Sequence, residues 1–371
     1  MRYIESIGAK AMETPELIDP LNQEPLYLDH AATTPLLSAA RDAMLHGFAI
    51  WANPSSPHKA GRQARAALEE ARARIKTLLD WQGEVIFTSG ASEALALAIT
   101  RRKLGEVAVS AVEHEAVLRV AGAEAVRLAV DSGGLVNPAD CARKALVAVQ
   151  QVNSETGVVQ PLDVIAEAVR SAGGVLLADC AQGAGKLALP DADLIALSAH
   201  KFGGPIGIGA LLVRDYALLD PSGGQERGYR GGTENLPGVL AMTAALEAGN
   251  DYMAQVQSLR AELEQRLRAG GAEVIAEQSP RCPTIGAYRL PGLSSAAQLI
   301  RFDAAGIAVS AGSACSSGSL RPSHVLSAMG LDAKAASEVI RVSIGRETTA
   351  ADIERFVAMW LEIAASRKGA A

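Results

Sequence analysis

Several things that would place the chain quickly are scarce or missing. Aromatic residues make up only 4% of its 371 residues, so a base-stacking surface is a poor expectation. Basic residues do not predominate: 35 Lys and Arg stand against 41 Asp and Glu, a net charge of −6. That balance leaves no electrostatic footprint for nucleic acid or an anionic membrane. No apolar run approaches the ~20 residues needed to cross a bilayer. The opening MRYIESIGAK lacks the basic-then-apolar pattern of a secretory signal. Four cysteines (Cys141, Cys180, Cys282 and Cys315) with no C-x-x-C pair are too few and too scattered for a disulfide framework or a structural zinc site. No G-x-G-x-x-G opens a helix after the first strand, which argues against a dinucleotide. The expectation is a soluble, cytoplasmic chain. Its 49% of hydrophobic residues can bury a real core, and its compartment leaves a thiol free to react.

The length suggests two domains, or one large core with an appendage. From Leu26 to Leu212, short apolar runs alternate with amphipathic stretches. The runs are Glu84–Thr88, Glu106–Ser110, Ala145–Val149, Val175–Ala178, Leu194–Leu197 and Ala210–Val213, each bounded by Gly or polar residues, as buried strands are. Helical patterns such as Arg62–Leu79 and Pro161–Ala172 separate them, which predicts an α/β fold with a mostly parallel sheet. After Gly249 the rhythm changes. A helix carrying Tyr252, Val256, Leu259, Leu263 and Leu267 leads into strands at Glu273–Ala276, Ile285–Leu290, Ile307–Val309 and Val339–Ile344. Helices are expected at Ser294–Ala305 and from Thr349. The expected division is residues 1–25 as an arm or extension, 26–249 as a large domain and 250–371 as a smaller α+β domain.

Chemistry gathers at the ends of the strands. In FTSGASEA (Phe87–Ala94) a strand gives way at once to a helix, whose unpaired amides suit a phosphate; alternatively Ser89 or Ser92 simply caps the helix. DLIALSAHKFGGPIGIGAL (Asp193–Leu211) delivers Ser198, His200 and Lys201 into a glycine-rich turn. A lysine there is either a solvated strand end or a desolvated amine ready to bond covalently to a carbonyl compound. Asp179 closes the strand GVLLAD, where open α/β sheets bind ligands. It can hold a pyridinium nitrogen protonated, as pyridoxal phosphate (PLP) chemistry requires, or cap the next turn. His114 can lie over a planar ring or merely pack, and Gln182 can meet a phenolic oxygen or face solvent. Their order along the chain supplies every contact a PLP ring needs.

The sequence resembles the cysteine desulfurases of the class-V aminotransferase group, which are fold type I PLP enzymes. The motifs are YLDHAATTP, NPSSPHKAGR, FTSGASEA, VEHEAV, VNSETGVVQP, DCAQ, SAHKFGGPIGIGAL, RGGTEN, SAGSACSSGS and RVSIGRETT, in the family's order from residue 27 to 349. The resemblance implies a large PLP domain with a mostly parallel central sheet and a smaller C-terminal domain bearing the cysteine loop. It implies that Lys201 carries the cofactor and that Ala91, Ser92, Ser198 and His200 hold its phosphate. Asp179 matches the partner of the ring nitrogen, Gln182 the ligand of the ring hydroxyl, and His114 the stacking residue and proton handler. Ser154 stands where the family has a second asparagine contacting the ring oxygen. Thr233 matches a threonine that reaches the phosphate of a neighbouring subunit, which implies a homodimer. Arg341 matches the arginine that grips the substrate carboxylate.

Cys315 sits among Gly312, Ser313, Ala314, Ser316, Ser317 and Gly318, unlike a packing cysteine, in an expected open and flexible loop. The loop's form resembles the NifS/IscS-like branch. The implied reaction converts L-cysteine to L-alanine and leaves a persulfide on Cys315 for an iron–sulfur scaffold or another sulfur acceptor. With such a scaffold Cys315 would also be a shared metal ligand. The alternatives are a selenocysteine lyase or an aminotransferase of the same class, or a non-catalytic scaffold of the same fold.

Overall fold

The computed structural model describes residues 25–50, 52–312 and 323–366. Cys315 and all but the last residue of the expected arm lie outside the described residues. Twelve strands are present among them: β1 Leu26–Tyr27, β2 Glu84–Thr88, β3 Val107–Ser110, β4 Val126–Leu128, β5 Leu146–Gln150 and β6 Val175–Asp179 precede β7 Leu194–Ser198, β8 Gly209–Val213, β9 Glu273–Val274, β10 Ile285–Arg289, β11 Ile307–Ala308 and β12 Val339–Ser343. Seven of them form the central sheet, in the order β2-β8-β7-β6-β5-β3-β4. Pairing is parallel from β7 through β6, β5 and β3 to β4, and antiparallel where β8 meets β7 and β2. The expected runs match these strands to within a residue or two because β5, β7 and β8 are buried along their whole length. The short edge strand β4, with exposed Arg127, gave no such run.

Direction in this sheet places the site. Two successive reversals return β2 to the direction of β7, so β2, β3, β5, β6 and β7 all end at one edge. Register keeps the ends level, with Gln150 opposite Asp179 and Asp179 opposite Ala196. The chain after each of these strands therefore opens into one crevice, as the strand ends of α/β sheets do.

A second core lies around the antiparallel sheet β12-β10-β9. Phe302 stacks on Phe356 at 4.9 Å between ring centres, and Trp360 packs beside both. The helices Met253–Ala269 and Ala350–Ser366 cover it. Leu26 and Leu28 belong to this core, and β1 pairs parallel with β11. The segment after β1 then crosses to the central sheet: Ala31 N donates to Ser343 Oγ at 2.9 Å, and Thr34 N to His200 O at 2.8 Å. Sequence pattern did not reveal this stitch, because a two-residue strand carries no periodicity. Among the described residues, no helix is long and apolar enough to cross a membrane.

Candidate active site

A cavity of about 340 Å³ opens at the shared strand edge. Ala91, Ser92, His114, Ser154, Asp179, Gln182, Ser198, His200, Lys201 and Arg341 all line it. Thr233 does not; it is exposed in the stretch before the Leu236–Glu247 helix. A larger open groove of about 710 Å³, walled by Leu78, Trp81 and Leu189, includes none of the predicted residues.

The turn expected to hold a phosphate forms where β2 runs into the Ala91–Thr100 helix. Its N-cap is Gly90, with no side-chain cap bond, so neither Ser89 nor Ser92 takes that role. Gly90 sits at φ 150°, which only glycine adopts readily, and this lets the strand turn sharply into the helix. Ala94 N makes the first helical bond, to Gly90 O at 3.1 Å, leaving the Ala91, Ser92 and Glu93 amides without an intrahelical acceptor. Gly209 lets the turn settle onto β8: a Cβ there would lie 2.6 Å from Gly90 Cα.

Ser198 ends β7, and the single helical turn Ala199–Lys201 follows. Lys201 Nζ donates to Ala31 O at 2.6 Å and Ala32 O at 2.8 Å, both on the crossing segment. Lys201 is half-buried, and these two carbonyls hold its amine at the cavity. His200 Nδ1 lies 3.2 Å from Thr33 Oγ1. Burial, reinforced by the charges of Lys201 and Lys186, depresses its pKa to about 4, so the ring is neutral at pH 7.

Asp179 is buried and accepts from Ala181 N at 2.9 Å. It thus caps its turn while facing the cavity. Burial raises its pKa; the Ala181 amide and the charges of His114 and Lys201 pull the other way. Gln182 Nε2 donates to Ala31 O at 2.8 Å, while its buried Oε1 has no partner among the described residues. His114 caps the Glu115–Ala121 helix through Nδ1, which accepts from Ala116 N at 3.1 Å. An accepting Nδ1 places the proton of the neutral ring on Nε2. Beneath them Glu113 is fully buried, accepting from Ser110 Oγ at 2.6 Å and Gln150 N at 2.8 Å. Burial, opposed by those two bonds and aided by the Asp179 charge, pushes its pKa up to about 8.

The opposite wall comes from β12. Arg341 donates through Nη1 to Ser154 O at 3.0 Å and through Nη2 to Asp29 Oδ1 at 2.8 Å, while its buried Nε has no partner among the described residues. Ser154 follows Asn153, whose Oδ1 takes the amides of Glu155 and Thr156, each at 2.9 Å. Glu155 is buried and accepts from Ser323 Oγ at 2.5 Å. A Cβ on Gly312 would come within 2.2 Å of the same carboxylate oxygen. Glu155 therefore contacts both described residues that flank 313–322. Asp29, Glu93, Gly90 and Glu155 were not singled out from the sequence, although each lies in a quoted motif or in the stretch just beside one. Their partners, far away in the chain, were the missing signal.

The profile of the family Aminotransferase class-V matches residues 26–356. The chain belongs to the class-V aminotransferases. Within them it is similar to the cysteine desulfurases. That of Gluconacetobacter diazotrophicus is 37% identical over 363 residues, covering 89% of this chain and 91% of the relative. That of Cereibacter sphaeroides is 38% identical over 368 residues, covering 90% and 94%. The solved structure of the NifS-like protein from Rickettsia africae superposes with a TM-score of 0.83 at 27% identity, covering 92% of this chain and 99% of that one. The family uses PLP, and the fold is the expected α/β transferase fold.

The cavity fits that cofactor on its own chemistry. It joins a lysine amine, a buried acid at a strand end, a Gln182 oxygen without a partner among the described residues and a helix end with open amides. These complement an aldehyde, a ring nitrogen, a ring hydroxyl and a phosphate.

Proposed function

We propose that the chain is a cysteine desulfurase in which Lys201, Asp179 and Arg341 serve one substrate, L-cysteine. The observation carrying this is their convergence on a single cavity from β6, β12 and the turn after β7. Lys201 would hold the cofactor, with Asp179 at its ring nitrogen, Gln182 and Ser154 toward its ring hydroxyl, His114 against its face, and Ala91, Ser92, Ser198 and His200 at its phosphate. When bound, PLP supplies an electron sink that acidifies the substrate Cα–H and loosens the Cβ–S bond.

The chain's own groups do the rest. Arg341 offers a planar fork suited to a carboxylate, and a substrate would take the place Asp29 now holds. Lys201, positioned by Ala31 O and Ala32 O, carries a proton to and from Cα. His114, with its proton on Nε2, assists further transfers. The sulfur passes to a cysteine thiol: L-cysteine and Cys315–SH become L-alanine and Cys315–S–SH. Cys141, Cys180 and Cys282 are buried. Burial raises the Cys141 pKa to about 11 and that of Cys180 well above its ordinary value, which suits neither to attack. The reading assigns the acceptor role to Cys315, on the glycine- and serine-rich sequence around it.

The persulfide would then serve an iron–sulfur scaffold or another sulfur acceptor in the cytoplasm, with Cys315 as the ligand a scaffold could share. Among the described residues no three His, Cys, Asp or Glu side chains group to hold a metal ion. The exposed position of Thr233 suits a homodimer in which it reaches the partner's phosphate. The reading keeps a large domain within 26–249 and a smaller one within 250–371 as a proposal, with β1 and Leu28 added to the core of the smaller one. The test is alanine and sulfide release from L-cysteine with a thiol reductant, in wild type and Cys315→Ala. A variant that keeps the cofactor's visible absorbance but loses both products supports the reading. Equal alanine from both proteins would replace it with another class-V activity.

A further inference from the structure

Glu93 is the third residue of the helix whose open end faces the cavity, and it forms part of the cavity wall. A carboxylate in a first helical turn is favoured by the helix dipole and can act as a cap. It is also the wrong charge beside a site that takes a phosphate on the same amides. Both of its oxygens are engaged elsewhere. Oε2 accepts from Ser89 N at 2.5 Å, and Oε1 from Arg230 Nε at 2.9 Å. Arg230 Nη2 lies a further 3.5 Å from Oε2. Burial pushes the Glu93 carboxyl up, but the Ser89 amide and Arg230 outweigh it and hold its pKa below the ordinary value.

Arg230 is held in place by its own turn. Gln225 N donates to Arg230 O at 3.0 Å, and Gln225 Oε1 accepts from Gly232 N at 2.9 Å. The next residue, Glu226, is buried beneath the turn, where its carboxylate takes two bonds from Arg72, at 2.8 and 3.0 Å, and one from Phe87 N at 2.9 Å. Phe87 belongs to β2, which runs directly into the phosphate turn. Glu226 and Arg227 lie at φ 45° and 57°, a left-handed backbone that the buried anchor maintains. The turn that carries Arg230 is thus fixed to the strand that leads into Gly90.

We propose that Arg230 is a positioning residue for the cofactor's phosphate: it neutralises Glu93, so that the first turn of the Ala91–Thr100 helix presents amides and not a competing carboxylate. The inference rests on the PLP reading above.

The experiment reloads full-length protein, freed of cofactor, with PLP or with pyridoxal, which lacks the phosphate, and follows visible absorbance. Arg230→Ala should weaken PLP binding about tenfold or more and pyridoxal binding less than about twofold. Adding Glu93→Gln to Arg230→Ala should recover most of the loss. Glu93→Gln alone should bind PLP at least as tightly as wild type, and this arm decides the matter if Arg230→Ala does not fold. Equal weakening of PLP and pyridoxal, a double variant no better than the single one, or weaker PLP binding by Glu93→Gln would each overturn the inference and leave the pair as a helix staple. Wild type that takes up neither compound would overturn the PLP reading itself, and the inference with it.

Discussion

The two walls of the cavity are built differently. The cofactor wall grows from the ends of adjacent strands of one sheet, and its side chains are pinned by backbone: Asp179 by Ala181 N, Gln182 by Ala31 O, Lys201 by Ala31 O and Ala32 O. The wall proposed for substrate is gathered from β12, the turn after β5 and the crossing segment, and Arg341 there meets the Ser154 carbonyl and the Asp29 carboxylate. A resident group calls for fixed donors and acceptors that need no rearrangement. A substrate that enters and leaves each turnover calls for a partner it can displace. Under the proposed function, the difference in construction matches that difference in residence time.

The largest break should come from the fixed wall. Lys201→Ala is expected to cost about 10²–10⁴ in kcat, the range for losing a positioned proton-transfer group, with L-alanine formation as the assay. On the exchangeable wall, Arg341→Lys keeps the charge but loses the fork. KM for L-cysteine should rise about tenfold or more while cofactor absorbance stays unchanged. Asp29→Asn sharpens the contrast, because it weakens the competitor and should lower KM; a raised KM would make Asp29 an orienting group instead. Gly90→Ala forces a side chain into a glycine-only backbone at the phosphate turn. It should cost about 1–3 kcal/mol of stability, read by denaturant unfolding, and loosen PLP with it.

The smallest effect is on pH. Glu113 has its folded pKa raised to about 8 from 4.5, so its contribution to stability is full below pH 4.5 and is lost as pH rises toward 8. Glu113→Gln keeps the acceptor for Ser110 Oγ and Gln150 N without the titration. Its melting temperature at pH 8 should exceed wild type by about 3 °C, with no gain at pH 4.5. Equal melting curves at both values would show that Glu113 does not titrate in this window.

Much of the cofactor wall was legible because each residue sits at the end of a buried apolar run, and such runs are local. Lys201 after LIALS and Asp179 after VLLA needed only the run and its punctuation. The motif order then named the family, and the matches to class-V relatives agree with it. The helix cap was misread: serines are the usual choice, but the geometry demanded glycine at φ 150°. Asp179 takes the turn cap considered for it while facing the cavity, and His114, read as a ring neighbour or a packing residue, caps a helix there instead.

By itself the sequence determined the α/β alternation, the change of rhythm after Gly249, and the list of groups that suit PLP. Hydrophobic period and turn chemistry depend on neighbours a few residues apart, so one chain suffices to read them. Only the tertiary structure decided which groups meet. Arg341 and Asp29 are 312 residues apart, Lys201 and Ala31 are 170 apart, and Arg230 and Glu93 are 137 apart. No local pattern encodes those pairings. They follow from strand order, from the two reversals that bring β2 beside the phosphate site, and from one crossing segment that joins two cores. Those are properties of the packed sheet, where burial fixes register and register fixes contact.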